Sequence, residues 1–296
     1  MFVGSESSLL HFRGEPLINQ GIAMASFESG TDHLLVNLED RVAHVTLNRP
    51  EARNALSDEL TSALRRAIAW ACADPEVGAF LITGAGGAFC SGGDVKAMGR
   101  RNTTPDQQPS TETQFQQMRA RHREIAGALR SMRKPSVAAL PGPAAGAGMA
   151  IALSCDLRIS AQSAFLSTAY ARIGLSGDYG IAWLLSRIVT PGHARQLMLT
   201  AERIPAERAK EIGLVNEVVA DDELATAAFN LARTLANGPQ VAYAYIKDNL
   251  DEALSIDHAT AIDREADRLL KARSTEDHRE AVRAFAEKRE PRFRSE

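Results

Sequence analysis

"GPAAGAGMAIALSCD", residues Gly142–Asp156, follows the apolar run "SVAAL" and packs three glycines into seven positions before continuing as an Ala-rich, helix-like stretch. Gly and Ala place almost nothing over the main chain, so the first N–H groups of such a helix stay uncovered and available to an oxygen. The stretch carries no ionisable side chain until Asp156. An earlier segment repeats the pattern: the buried-strand reading "VGAFLITG" closes on "GAFCSGGD", Gly87–Asp94. Tight turns and close helix–strand packing account for either cluster taken singly. Two of them in one chain point to amides gathered around one acceptor. Neither is a phosphate loop, because GxxxxGK[ST] is missing and "GAGGAF" lacks the GxGxxG spacing.

Working outward, "HLLVNLEDRVAHVTLNRP" reads as two alternating strands around the polar "EDR". A helix follows, capped by Ser57 or Asp58, with Leu60, Leu64, Ile68 and Ala71 on its apolar face. Phe115, Met118, Ile125 and Leu129 predict a long helix before "KPSVAALPG". "LRIS", "AFLS" and "LVNEVV" read as short strands, separated by the helices "PGHARQLMLT" and "PAERAKEIG". Trp70 and Trp183 fall among apolar helix positions and read as core. The class is α/β, strands early and helices late. Residues 1–33 read as a flexible extension within which Met24 offers a second start, 34–220 as the core, and 221–296 as a C-terminal helical region.

The 296 residues are 45% hydrophobic and 24% charged, enough to bury a large core. A net charge of −3 with scattered Lys and Arg gives no basic stripe, so nucleic acid is not an expected partner. No apolar run reaches the roughly 18 residues of a membrane span, and none is expected to meet a membrane. Cys72, Cys90 and Cys155 lack metal spacing, which fits a reducing cytoplasm, and the histidines predict no metal site. Cys90 beside the glycines could in principle be a nucleophile, but a small buried cysteine at a strand end is the favoured reading.

Taken in order, "LNRPEARNAL", "GAFCSGGDVKAM", "KPSVAALPGPAAGAGMAIALSCDLRIS", "ARIGLSGDYG" and "LTAERIPAERAKEIGLVNEVV" resemble the crotonase, or enoyl-CoA hydratase/isomerase, superfamily from about Leu34 to the mid-250s. The resemblance implies a crotonase-like spiral of ββα units followed by C-terminal helices that assemble trimers, or dimers of trimers. It implies an acyl-CoA thioester as substrate, with no further cofactor. By motif position, the N–H groups of Gly93 and Ala147 would form the oxyanion hole. Arg53, Ala55, Ser91, Gly93 and Asp94 would hold CoA, with Lys247 near its phosphates. Arg100–Gln114 would fold over the acyl tunnel.

Hydratases of this family carry two glutamates at positions that fall here on Ala150 and Tyr170, and neither residue supplies a carboxylate. Asp178 stands where isomerase members, including those acting on phenylacetate-derived rings, carry a base. A local alternative makes Asp178 the N-cap of "YGIAWLLSRI". The two differ in sign, since a cap lowers the carboxyl pKa and an apolar pocket raises it. The expected activity is double-bond migration in an enoyl-CoA. Alternatives are an aryl-CoA dehalogenase or hydrolase with Asp178 as nucleophile, an atypical hydratase, and a non-catalytic acyl-CoA binder. The dehalogenase histidine position falls on Arg123, beside His122.

Overall fold

The computed structural model describes residues 27–94 and 110–294. Strands β1 (Leu34–Glu39), β2 (Val42–Leu47), β3 (Ala79–Gly84), β4 (Ser136–Leu140), β6 (Leu157–Ala161) and β9 (Glu217–Val219) form one sheet in the order β1-β2-β3-β4-β6-β9. Only the β1–β2 pair is antiparallel, and the rest run parallel. Strands β5 (Ala144–Ala145), β7 (Phe165–Ser167) and β8 (Ile204–Pro205) make a second, small sheet. The class is α/β as expected, with a parallel-rich sheet and helices at the C-terminal end.

Both faces of the central strands are buried, and the period of two sorts their side chains. Phe80, Ile82, Ala138 and Leu140 point into one core, with helix α1 (Asp58–Ala73) packed over it through Leu60, Leu64, Ile68 and Ala71. Ser57 is the cap, its side chain accepting from the Leu60 amide. Ala79, Leu81, Val137 and Ala139 point the other way. They meet Leu224, Ala228, Ala232 and Ala236, spaced by four along one face of a helix, Leu224–Ala236. The helical region expected from residue 221 therefore opens with a helix that closes the core.

The expected extension divides in the same manner. Residues 1–26 lie outside the described residues, but Phe27 stacks on Trp70 at 5.3 Å and Arg66 donates to the Ser29 carbonyl, so residues 27–33 dock on α1. Trp70 is half-buried under that contact. Of Arg100–Gln114, residues 100–109 also lie outside the described residues, whereas Ser110 caps helix α2 (Thr111–His122). Phe115 and Met118, which with Ile125 and Leu129 predicted a long helix, are about half exposed at 50% and 55%. Trp183, expected inside, is 44% exposed, because Ile181, Leu184 and Leu185 form the buried stripe of its helix. The Arg187 guanidinium lies 3.7 Å from the Trp183 ring centre and covers it instead. None of the described helices is long and apolar enough to cross a membrane.

Candidate active site

The two glycine segments leave the C-terminal ends of neighbouring parallel strands, β3 and β4, and are hydrogen-bonded together. The Phe89 and Cys90 amides both donate to the Pro143 carbonyl at 3.1 Å, and the Ala145 amide donates to the Cys90 carbonyl at 2.9 Å. Ala147 opens helix α3 (Ala147–Ser154), and the carbonyl four residues before it is that same Pro143. Its N–H thus starts the helix without the usual in-helix acceptor. Gly92 has φ 93°, a methyl built on it would sit 2.9 Å from the Ala145 oxygen and 3.5 Å from the Ala147 nitrogen, and its own carbonyl accepts from the Leu56 amide. Gly148 is tighter still, its missing Cβ falling 2.3 Å from the Cys90 oxygen. The segment is bare because two backbones meet there. That contact brings the Gly92–Gly93 turn against the Ala147 helix start.

The acid comes from a third loop. A 3-10 turn, Tyr170–Ile173, follows Ala169 at φ 62° and is tied down by Thr168, whose hydroxyl donates to the Leu197 carbonyl at 2.7 Å. Tyr170 is buried, and its ring edge lies 3.9 Å from where a Gly146 side chain would start. Its hydroxyl donates to Asp178 Oδ1 at 2.5 Å. Gly177, Tyr179 and Gly180 all take positive φ, and the helix beginning at Ile181 (α4, Ile181–Ile188) has Gly180 at its cap position. The N-cap reading of Asp178 does not hold: only its main-chain carbonyl meets the helix start, accepting from the Ile181 amide. Burial pushes the Asp178 carboxyl above its ordinary value, with the Tyr170 hydrogen bond and His122 opposing. That is the direction of a base in an apolar pocket.

His122 joins this group, its ring 4.2 Å from that of Tyr179. Motif counting points to Arg123, but α2 ends in a π turn, Arg123–Gly127, whose extra residue rotates what precedes it by about 100°. Burial lowers the His122 pKa against the pull of Asp178, so it is neutral more readily than an exposed histidine. Tyr170 and Tyr179 are raised by burial and then by the Asp178 charge. Cys90 is fully buried, its thiol pushed up to about 12, which leaves a structural role rather than a nucleophilic one. Ala150 is buried in α3 and brings no polar side chain.

The residues assigned to CoA gather at the outer edge of the glycine turns. The Ser91 amide donates to the Arg53 carbonyl at 3.0 Å, Arg49 donates to the Ala55 carbonyl, and Arg49 pairs with Asp94 at 3.4 Å. Lys247 stands apart from these residues. Its ammonium binds Asp156 at 2.7 Å and the Lys134 carbonyl at 3.2 Å, at the start of β4 and β6, the opposite end of the sheet from the site. Two residues escaped the sequence reading, Arg49 and Asn54, although "RPEARNAL" contains both. Asn54 is fully buried, donates to the Ala85 and Ala88 carbonyls at 2.9 and 2.8 Å, and accepts from the Arg49 amide at 2.8 Å. It staples the first motif to the second. Asn54→Ala strands three main-chain groups and is expected to cost about 2–4 kcal/mol in denaturant unfolding. Among the described residues no group of three His, Cys, Asp or Glu side chains is placed to hold a metal ion.

The chain is similar to known proteins over most of its length. The model of the family described as enoyl-CoA hydratase/isomerase matches residues 37–296. The 1,2-epoxyphenylacetyl-CoA isomerase of Escherichia coli is 35% identical over 264 residues, covering 88% of this chain and 98% of that one. The short-chain-enoyl-CoA hydratase of Clostridium acetobutylicum is 34% identical over 259 residues, covering 87% and 96%. A solved enoyl-CoA hydratase from Polaromonas sp. JS666 superposes with a TM-score of 0.81 at 33% identity, covering 88% and 99%. The chain belongs to the enoyl-CoA hydratase/isomerase family.

Proposed function

We propose that this enzyme moves a double bond along an enoyl-CoA through a thioester enolate. The observation that carries the reading is Asp178: a half-buried carboxylate, not used as a helix cap, bonded to a tyrosine that abuts the Gly146 turn. The Gly93 and Ala147 amides would hold the thioester oxygen and acidify the C2 hydrogen. The ionised Asp178 takes that proton and returns it at C4, and the negative charge passes from C2 to the oxygen and back to the chain. One carboxylate suffices for both transfers, whereas water addition by the two-glutamate route finds Ala150 and Tyr170. The test is a comparison of 3-enoyl-CoA with 2-enoyl-CoA. Migration without net hydration supports the reading, and rapid formation of 3-hydroxyacyl-CoA from the 2-enoyl substrate overturns it.

A second reading keeps Asp178 as a nucleophile on an aryl-CoA, and the placement of His122 favours it. Halide release from a halobenzoyl-CoA identifies that chemistry. For the expected trimer or hexamer, the support is the exposed apolar surface of the C-terminal helices, where Leu250 and Leu269 are 65% and 67% exposed. Leu250→Glu with Leu269→Glu is expected to reduce the particle mass measured by light scattering.

A further inference from the structure

The phenol of Tyr170 is tied to residue 178: its hydroxyl donates to the Oδ1 atom of the Asp178 carboxylate. The ring is nine-tenths or more enclosed, at 5% exposure, wedged between the Gly146 turn and the loop that carries Asp178. Its backbone is pinned as well, since the Tyr170 amide donates to the Thr168 carbonyl at 2.8 Å and its carbonyl accepts from the Leu175 amide at 3.0 Å. This loop has three positive-φ residues around the acid, so the main chain alone is a poor means of aiming the carboxylate.

We infer that Tyr170 is the positioning residue of the base: its hydroxyl fixes Oδ1 of Asp178, turns Oδ2 toward the substrate carbon and stabilises the ionised carboxylate. The inference rests on the reading of Asp178 as the proton carrier and gives a different job to the position where the family's hydratases hold a carboxylate. A tyrosine there converts a two-acid site into one acid with one donor. Among the described residues, the other titratable groups facing Asp178 are His122 from α2, Cys90 from the first glycine segment and the neighbouring Tyr179. Arg121 and Arg65 act on His122 and Tyr179 from further out. Among these, only Tyr170 makes a direct side-chain hydrogen bond to the carboxylate.

Tyr170→Phe removes one oxygen and keeps the ring. The ionised carboxylate then loses its donor, so its pKa rises further. The acid limb of the kcat profile is expected to move up by about one pH unit, with KM unchanged. An unmoved limb, or an equal loss at every pH, overturns the inference. A 13C-NMR titration of the Asp178 carboxyl in both proteins, each checked for an unaltered thermal midpoint, reads the same contact without turnover. Should Asp178→Asn stay active while that titration still shifts, the proton-carrier reading fails and the Tyr170–Asp178 coupling stands. If Asp178→Asn is inactive and the titration does not shift, the coupling fails alone. Rescue of the profile is expected from no aliphatic residue at position 170.

Discussion

Asp178→Asn is expected to lower isomerase kcat by about 10²–10⁴-fold, with acyl-CoA binding little changed. Asn has the same outline, and its carbonyl can still accept the Tyr170 hydroxyl that now meets Oδ1. What it lacks is a lone pair basic enough to take the C2 proton. The variant also removes a charge whose burial raises the carboxyl pKa, so its thermal midpoint is expected to equal or exceed that of the parent. The measurement is steady-state kinetics on a 3-enoyl-CoA beside calorimetric binding of a saturated acyl-CoA. Full activity in this variant would remove Asp178 from the chemistry. In the parent, the carboxylate must be ionised to act, and burial displaces its pKa upward, so activity is expected to be lost on acidification at a higher pH than for an exposed aspartate.

Ala147→Pro tests the other half of the mechanism. Position 147 is the first residue of α3, where proline is accommodated because no in-helix carbonyl needs its N–H. The substitution deletes one donor of the proposed oxyanion hole while keeping the other side chains of the site. The expected cost is about 10²–10³ in kcat. Ala147→Gly, which retains the N–H, is the matching control and is expected to stay close to the parent. Equal activities of the Pro and Gly variants would show that this amide does not meet the developing oxyanion. Denaturant midpoints of the two variants separate a lost donor from a lost fold.

Much of this site was readable one segment at a time. The strand runs ending at Gly84 and Leu140, the Ser57 cap and the buried stripe of α1 each follow from a local period or a local hydrogen bond. The small residues at Gly92, Gly146 and Gly148 were legible as bare main chain, and the family resemblance ordered the motifs. What stayed hidden was a partner lying far along the chain: Lys247 pairs with Asp156, 91 residues away in sequence. Trp183, read as core, is 44% exposed because Ile181, Leu184 and Leu185 take the buried stripe of its helix.

The sequence by itself determined the α/β class and the two glycine turns at strand ends, because each depends on residue type at one position or on spacing within one element. Only the tertiary structure decided what the Asp178 side chain touches. Its local setting favours a helix cap, yet the left-handed run through Tyr179 and Gly180 starts the helix after it and leaves the carboxylate to Tyr170. The same holds for His122, which a π turn rotates toward the acid, and for Asn54, whose carbonyl partners stand about thirty residues away. Hydrogen bonds between distant segments carry no periodic signature, so they become visible only once the chain has folded.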